Sequence, residues 1–262
     1  MYENSIKTAT SSEIANNLQV VLERVKHAQK DNAGSVPTLV AVSKRQPNDR
    51  IEAALAAGHR VFGENRVQEA QERWTSRRGP YPELRLHLIG PLQTNKSADA
   101  VALFDVIEVV DRPKLARSLS VEMARQGRHL PCYVQVNTGE EDQKSGIWPE
   151  EADDFIAFCR NECGLDIAGL MCIPPVDEEP AMHFALLRTI AERNGLSGLS
   201  MGMSGDYEEA VTSAQPRSVW DRLFSAREIA SPVGSSDRLA LAWSRCNDDC
   251  ADCLAGTSEP VR

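Results

Sequence analysis

The 262-residue chain contains no run of 18 uncharged apolar residues, so no helix spanning a bilayer is expected. Met1 to Lys7 leads into polar Ser, Thr and Asn rather than an apolar stretch, so no secretory signal is expected, and a cytoplasmic setting is the default. Positive charge is in deficit: 29 Lys and Arg against 38 Asp and Glu leave a net charge of −9. That argues against a general nucleic-acid or anionic-membrane binder, while leaving room for a local anion pocket. A disulfide framework is lacking, because the seven cysteines are odd in number and irregular in spacing. Cys132, Cys159, Cys163 and Cys172 lie in apolar or mixed segments, where buried free thiols are expected. Cys246, Cys250 and Cys253 cluster near the C-terminus with every His far upstream, so a zinc site would lack its fourth ligand and none is expected. There is no Gly-x-Gly-x-x-Gly after the first apolar run and no Walker loop.

What is present is a globular composition, 42% apolar and 26% charged, which excludes disorder, collagen and coiled coil as the main state. Seven short apolar runs recur: 37–44, 60–64, 85–90, 105–111, 132–137, 167–173 and 198–204. Each reads as a strand buried on both faces. Between them lie helical patterns. Residues 11–28 carry Leu18, Val21, Leu22 and Val25 on one stripe. Asn48-Asp49 opens a helix that turns Ile51, Ala54 and Leu55 inward and ends at Gly58. Helical patterns follow again over Val67 to Trp74, from Pro149 onward, and over Ala181 to Asn194. Seven strand–helix alternations predict parallel βαβ units with right-handed crossovers. One more unit closes an eight-stranded α/β barrel of the (β/α)8 type; an open doubly wound sheet is the alternative.

In such a barrel function sits where strands run into loops. Lys44 closes the first run. An ammonium at the edge of a desolvated core has its pKa lowered, and a free amine can form a Schiff base; the competing reading is a lysine snorkelling into solvent. Asn65 ends the second run and either hydrogen-bonds a ligand or starts the helix after it. Ser204-Gly205 ends the seventh run in a small-residue turn before Asp206. It either cradles a phosphate on backbone N–H groups or caps a helix through Ser204 or Asp206. A Schiff-base lysine and a phosphate cradle across one barrel mouth suggest pyridoxal 5′-phosphate.

Longer motifs support this. Ala41-Val-Ser-Lys44, Ala57-Gly-His-Arg-Val-Phe-Gly-Glu-Asn65 with Val67-Gln-Glu69, and His87-Leu-Ile-Gly-Pro-Leu-Gln-Thr-Asn-Lys96 closely resemble the pyridoxal phosphate homeostasis protein family. So do Val134-Gln-Val-Asn-Thr138 with Lys144-Ser-Gly146, Gly169-Leu-Met171, and Leu199-Ser-Met-Gly-Met-Ser-Gly-Asp206. The resemblance runs from about residue 10 to Val211. It implies a barrel like the N-terminal domain of alanine racemase and a Schiff base between pyridoxal phosphate and Lys44. It also implies a cofactor-binding set of Lys44, Asn65, Met201, Ser204 and Gly205, with phosphate contacts from Ser204 and Gly205. Members carry or buffer the cofactor and influence amino-acid and keto-acid pools, with pyridoxal-phosphate-dependent apoenzymes as candidate partners. The alternative is a racemase-like enzyme. It is disfavoured because the second acid/base residue of alanine racemases comes from a separate C-terminal β-domain, for which no length remains. A single barrel of this kind is expected to be monomeric.

One departure is small: Pro91 stands where the family often has His. The other is large. After Val211 the family continues with a strand resembling Arg-Leu-Gly-Ala-Thr-x-Val-Arg-Val-Gly-Ser/Thr-Ala-Ile-Phe-Gly, whose Arg-x-Gly-Ser/Thr stretch completes the phosphate site. Here the chain reads Thr212-Ser-Ala-Gln-Pro-Arg-Ser-Val-Trp-Asp-Arg-Leu-Phe-Ser225 and runs on. Back-translated with the reading frame moved to the third base of each codon, this stretch can spell Leu-Gly-Ala-Thr-x-Val-Arg-Val-Gly-Ser-Ala-Ile-Phe-Gly. Trp220-Asp221 forces the Gly, since Trp has one codon. The expectation is therefore a barrel over residues 1–211 and an aberrant tail over 212–262, with strand eight altered or missing. Without it the first and seventh strands keep open edges. Alternatively, part of the tail, such as Ser218 to Ala226, substitutes as an eighth element.

Overall fold

Helices and strands alternate along the chain in a computed structural model that describes residues 11–29, 37–214 and 222–226, the last of these as backbone only. The helices are α1 (Ser11–Ala28), α2 (Asn48–Ala56), α3 (Val67–Trp74), α4 (Ser97–Leu103), α5 (Pro113–Gln126), α6 (Ala152–Asn161), α7 (Pro180–Arg193) and α8 (Tyr207–Ser213). The strands are β1 (Thr38–Val42), β2 (Val61–Glu64), β3 (Arg85–Leu88), β4 (Val106–Val110), β5 (Cys132–Gln135), β6 (Ile167–Met171), β7 (Gly198–Ser200) and β8 (Arg222–Ala226). All eight strands pair in parallel, in sequence order, and close into a barrel. The seven apolar runs of the sequence are its first seven strands.

The helix signals are local. In α1, Ile14, Leu18, Val21 and Val25 are buried at spacings of three and four, and Leu22 packs beside them. In α2, Ile51, Ala53, Ala54 and Leu55 turn inward, and Gly58 follows the helix at φ +89°. The sequence reading did not single out α5, although it carries a complete start and stop signal. Pro113 occupies its first turn, where no N–H is needed, and Gly127 ends it in the left-handed region at φ +62°. β4 and β5 are buried at every position, as strands with the lumen on one face and helices on the other must be.

The eighth strand is present in altered form. Residues 222–226, beyond the point where the family resemblance ends, pair with Thr38–Ala41 of β1 and with Leu199 and Ser200 of β7. The edges of β1 and β7 are therefore covered.

Candidate functional site at the carboxyl ends of the strands

The expected site residues come from neighbouring strands. Lys44 lies two residues past β1 and Asn65 directly follows β2, its hydrogen-bonded neighbour. Met201, Ser204 and Gly205 follow β7, which is separated from β1 by β8 alone. At about 4.8 Å per strand spacing, the ends of β7 and β1 stand roughly 10 Å apart. Lys44 is half-buried, and Ser43 beside it is 2% exposed.

The backbone around Lys44 is held on both sides. Ser43 donates its N–H to the Gly63 carbonyl at 3.0 Å, carrying the β1–β2 ladder one residue past β1. The Ser43 carbonyl then accepts the Gln46 N–H at 3.0 Å. Between them Arg45 is non-glycine at φ +56°, a left-handed conformation costing about 1–3 kcal/mol that persists where surrounding bonds over-determine it. Ser43 also donates its hydroxyl to Glu64 Oε1 at 2.7 Å. That oxygen accepts two more donors from α3, Arg73 Nη1 at 2.6 Å and Trp74 Nε1 at 2.8 Å. Glu64 is wholly buried, and its Oε2 has no hydrogen-bond partner among the described residues.

Asn65 is fixed by close packing. A Cβ on Gly90 would stand 2.5 Å from the Asn65 carbonyl oxygen and 2.6 Å from its Cα, so only glycine lets the chain after β3 pass there. Asn65 does not start the next helix, whose N-cap position is Arg66.

At the end of β7, Met201 is 3% exposed and packs in the core cluster, while Gly205 is exposed with nothing within 4 Å of a Cβ built on it. Ser204 is half-buried in the same turn. Asp206 takes the N-cap position of α8 without bonding the helix N–H groups. Its carboxylate instead accepts the Met203 N–H, and the Met203 carbonyl accepts the Asp206 N–H, closing a tight turn around Ser204-Gly205. Burial pushes the Asp206 carboxyl above its ordinary range, against the pull of its backbone hydrogen bonds.

The sequence reading missed a buried polar chain inside the barrel. Glu108 on β4 accepts from His87 Nδ1 on β3 at 2.5 Å and, through its other oxygen, from the Ser200 hydroxyl on β7 at 2.5 Å. β4 and β7 are not neighbours in the sheet, so this chain crosses the lumen. The signal was present as a His and a Glu inside otherwise apolar strands, where neither is buried unless partnered.

The Lys144-Ser145-Gly146 loop folds back on β5. Gln135 donates to the Ser145 carbonyl at 3.0 Å, and Gly146 at φ +128° passes where a Cβ would meet the Asn137 nitrogen at 2.6 Å. Lys144 pairs with Glu141 at 2.5 Å. Cys132, Cys159, Cys163 and Cys172 are buried free thiols, as their surroundings in the sequence led one to expect. Burial pushes Cys159 and Cys172 up to about 12, and Cys132 higher, so none is a ready nucleophile. Cys246, Cys250 and Cys253 lie outside the described residues. Among the described residues no helix is long and apolar enough to cross a membrane.

The model of the alanine racemase N-terminal domain matches residues 11–216. The pyridoxal phosphate homeostasis protein of Pseudomonas aeruginosa is 37% identical over 236 residues, covering 85% of this chain and 99% of that protein. The chain belongs to the pyridoxal phosphate homeostasis protein family. The homologue from Escherichia coli strain K12 is 33% identical over 236 residues, 84% of this chain and 99% of its own length. Among solved structures, PipY of Synechococcus elongatus with pyridoxal phosphate bound superposes with a TM-score of 0.68 at 32% identity. That match covers 80% of this chain and 97% of PipY. Membership accounts for the barrel and for the motifs at its strand ends.

Proposed function

We propose that this chain binds pyridoxal 5′-phosphate at the carboxyl end of the barrel, as a Schiff base on Lys44, and acts as a carrier or buffer in cofactor homeostasis. The observation that carries the reading is the placement of an amine and a small-residue turn on the two strands flanking β8. Lys44 stands past β1 and Ser204-Gly205 past β7, with open space in front of Gly205. The residues present fit the cofactor. Lys44 would hold its aldehyde carbon, Ser204 and Gly205 its phosphate, and Asn65 would hydrogen-bond it beside Lys44. When bound, pyridoxal phosphate supplies an electrophilic carbonyl and an electron-accepting ring. The homologues' name and the cofactor bound in PipY support the reading. Its further elements are transfer to pyridoxal-phosphate-dependent apoenzymes, effects on amino-acid and keto-acid pools, a cytoplasmic setting and a monomeric state.

The test is a visible absorption titration of the purified chain with pyridoxal phosphate, run beside Lys44→Ala. A Schiff-base band that Lys44→Ala lacks is the expected result; a soluble, folded wild type without the band rejects the reading. Incubation with L-alanine in D2O separates carrier from racemase-like enzyme, since a carrier leaves the α-hydrogen in place.

The tail belongs to the same proposal. An indel near Thr212 has displaced the family's eighth strand into another frame, so residues 212–262 are foreign to the family's sequence and 222–226 stand in for its eighth strand. Sequencing the gene across codons 205–230 decides this: the displaced strand must be encoded in the adjacent frame, and its absence there rejects the indel.

A further inference from the structure

We infer that Ser43 and Glu64 form a positioning pair that presets the backbone of Lys44 for the cofactor. This deepens the reading above and rests on Lys44 being the attachment residue. Ser43 meets Glu64 through its hydroxyl, and Lys44 follows as the second residue of the tight turn that the Ser43 carbonyl closes by accepting the Gln46 N–H. One buried carboxylate oxygen therefore ties the residue before Lys44 to the residue before Asn65, and anchors both to Arg73 and Trp74 of α3. The Ser43 hydroxyl adds a longer contact of 3.3 Å to the Gly63 carbonyl. With its N–H, carbonyl and hydroxyl all bonded, Ser43 is a fixed post, and the left-handed turn at Arg45 begins from it.

The three donors all converge on Oε1, and among the described residues Oε2 is buried without a partner. The arrangement here holds one atom at one point, between two strand ends and one helix.

The experiment is Ser43→Ala, with Ser43→Thr as the hydroxyl-retaining rescue. Each is followed by stopped-flow formation of the Lys44 band on adding pyridoxal phosphate, by thermal unfolding, and by hydrogen exchange of the residue 43–46 amides without cofactor. Loss of one neutral-to-charged hydrogen bond should slow band formation about tenfold and speed exchange at Lys44 to Gln46 by a similar factor. The melting midpoint should fall little, and Ser43→Thr should recover both rates. Wild-type rates in Ser43→Ala overturn the inference. So does a fall in melting midpoint with no change in band formation, since that marks a merely structural bond. If no chain forms the band, the cofactor reading fails while the exchange data still decide the hold on Lys44. Should the variants not fold, the wild type decides: the Ser43 and Gln46 amides must exchange far more slowly than exposed loop amides, and unprotected amides there overturn the inference.

Discussion

At the scale of single residues, Asp206 sits where an acid is least welcome, in a turn read as a phosphate cradle. Burial raises its carboxyl above the ordinary value. A carboxyl with a raised folded pKa contributes stability below its unfolded pKa and loses it as pH rises through the folded one. Asp206→Asn keeps an oxygen for the Met203 N–H and removes the charge. The variant should therefore be more stable than wild type at neutral pH, with the difference vanishing on acidification below the carboxylate range, as read by urea unfolding at both pH values. Removing a negative charge beside Ser204 and Gly205 should also tighten pyridoxal phosphate, measurable in the same absorption titration; weaker binding would place the phosphate elsewhere. Lys44, Asn65 and Ser204-Gly205 stood out in the sequence because each ends an apolar run in a polar or small residue. The His87–Glu108–Ser200 chain did not, because its members lie in three separate strands and one of its links, Glu108 to Ser200, joins strands that are not neighbours in the sheet.

At the scale of elements, glycine sets how closely strands approach. A Cβ on Gly169 of β6 would lie 2.2 Å from the Gly198 carbonyl oxygen of β7, and one on Gly198 would lie 2.6 Å from the Tyr133 hydroxyl of β5. Backbone cannot yield as a flexible side chain can. Gly169→Ala should therefore cost at least the ~1–3 kcal/mol typical of overpacking. Amide exchange should rise selectively in β6 and β7, and unchanged protection there would show that the strands can separate freely. Helices were legible where caps and periodicity coincide. α1 and α2 matched their apolar stripes, whereas α5 was not singled out although it carries a proline start and glycine stop around Leu115, Ala116, Leu119 and Met123. α4 and α8, seven residues each, are too short for a period of 3.6 to declare itself.

At the scale of the whole molecule, closure depends on a strand the family pattern does not supply. β8 pairs on both sides, so a proline within it removes a ladder donor and opens the barrel. Leu223→Pro should cost at least the ~1–3 kcal/mol of a ladder partner left unsatisfied. With the β1 and β7 edges exposed, the chain should associate, seen as a rise in mass by light scattering. A monodisperse, equally stable variant would show that these residues do not close the barrel. The sequence offered Ser218 to Ala226 as a substitute eighth element only as an alternative, and 222–226 within it form β8; composition alone did not single them out, because any five residues able to adopt extended backbone can satisfy main-chain donors and acceptors on both sides. What the sequence by itself determined was the period: short apolar runs alternating with amphipathic helices, which admit a parallel sheet and little else. It also determined which residue types stand at the ends of those runs. Only the tertiary structure decided which ends are neighbours, which strand closes the circle, and which buried polar groups meet. Those are contacts between segments far apart in the chain, and local periodicity carries no information about distance across a barrel.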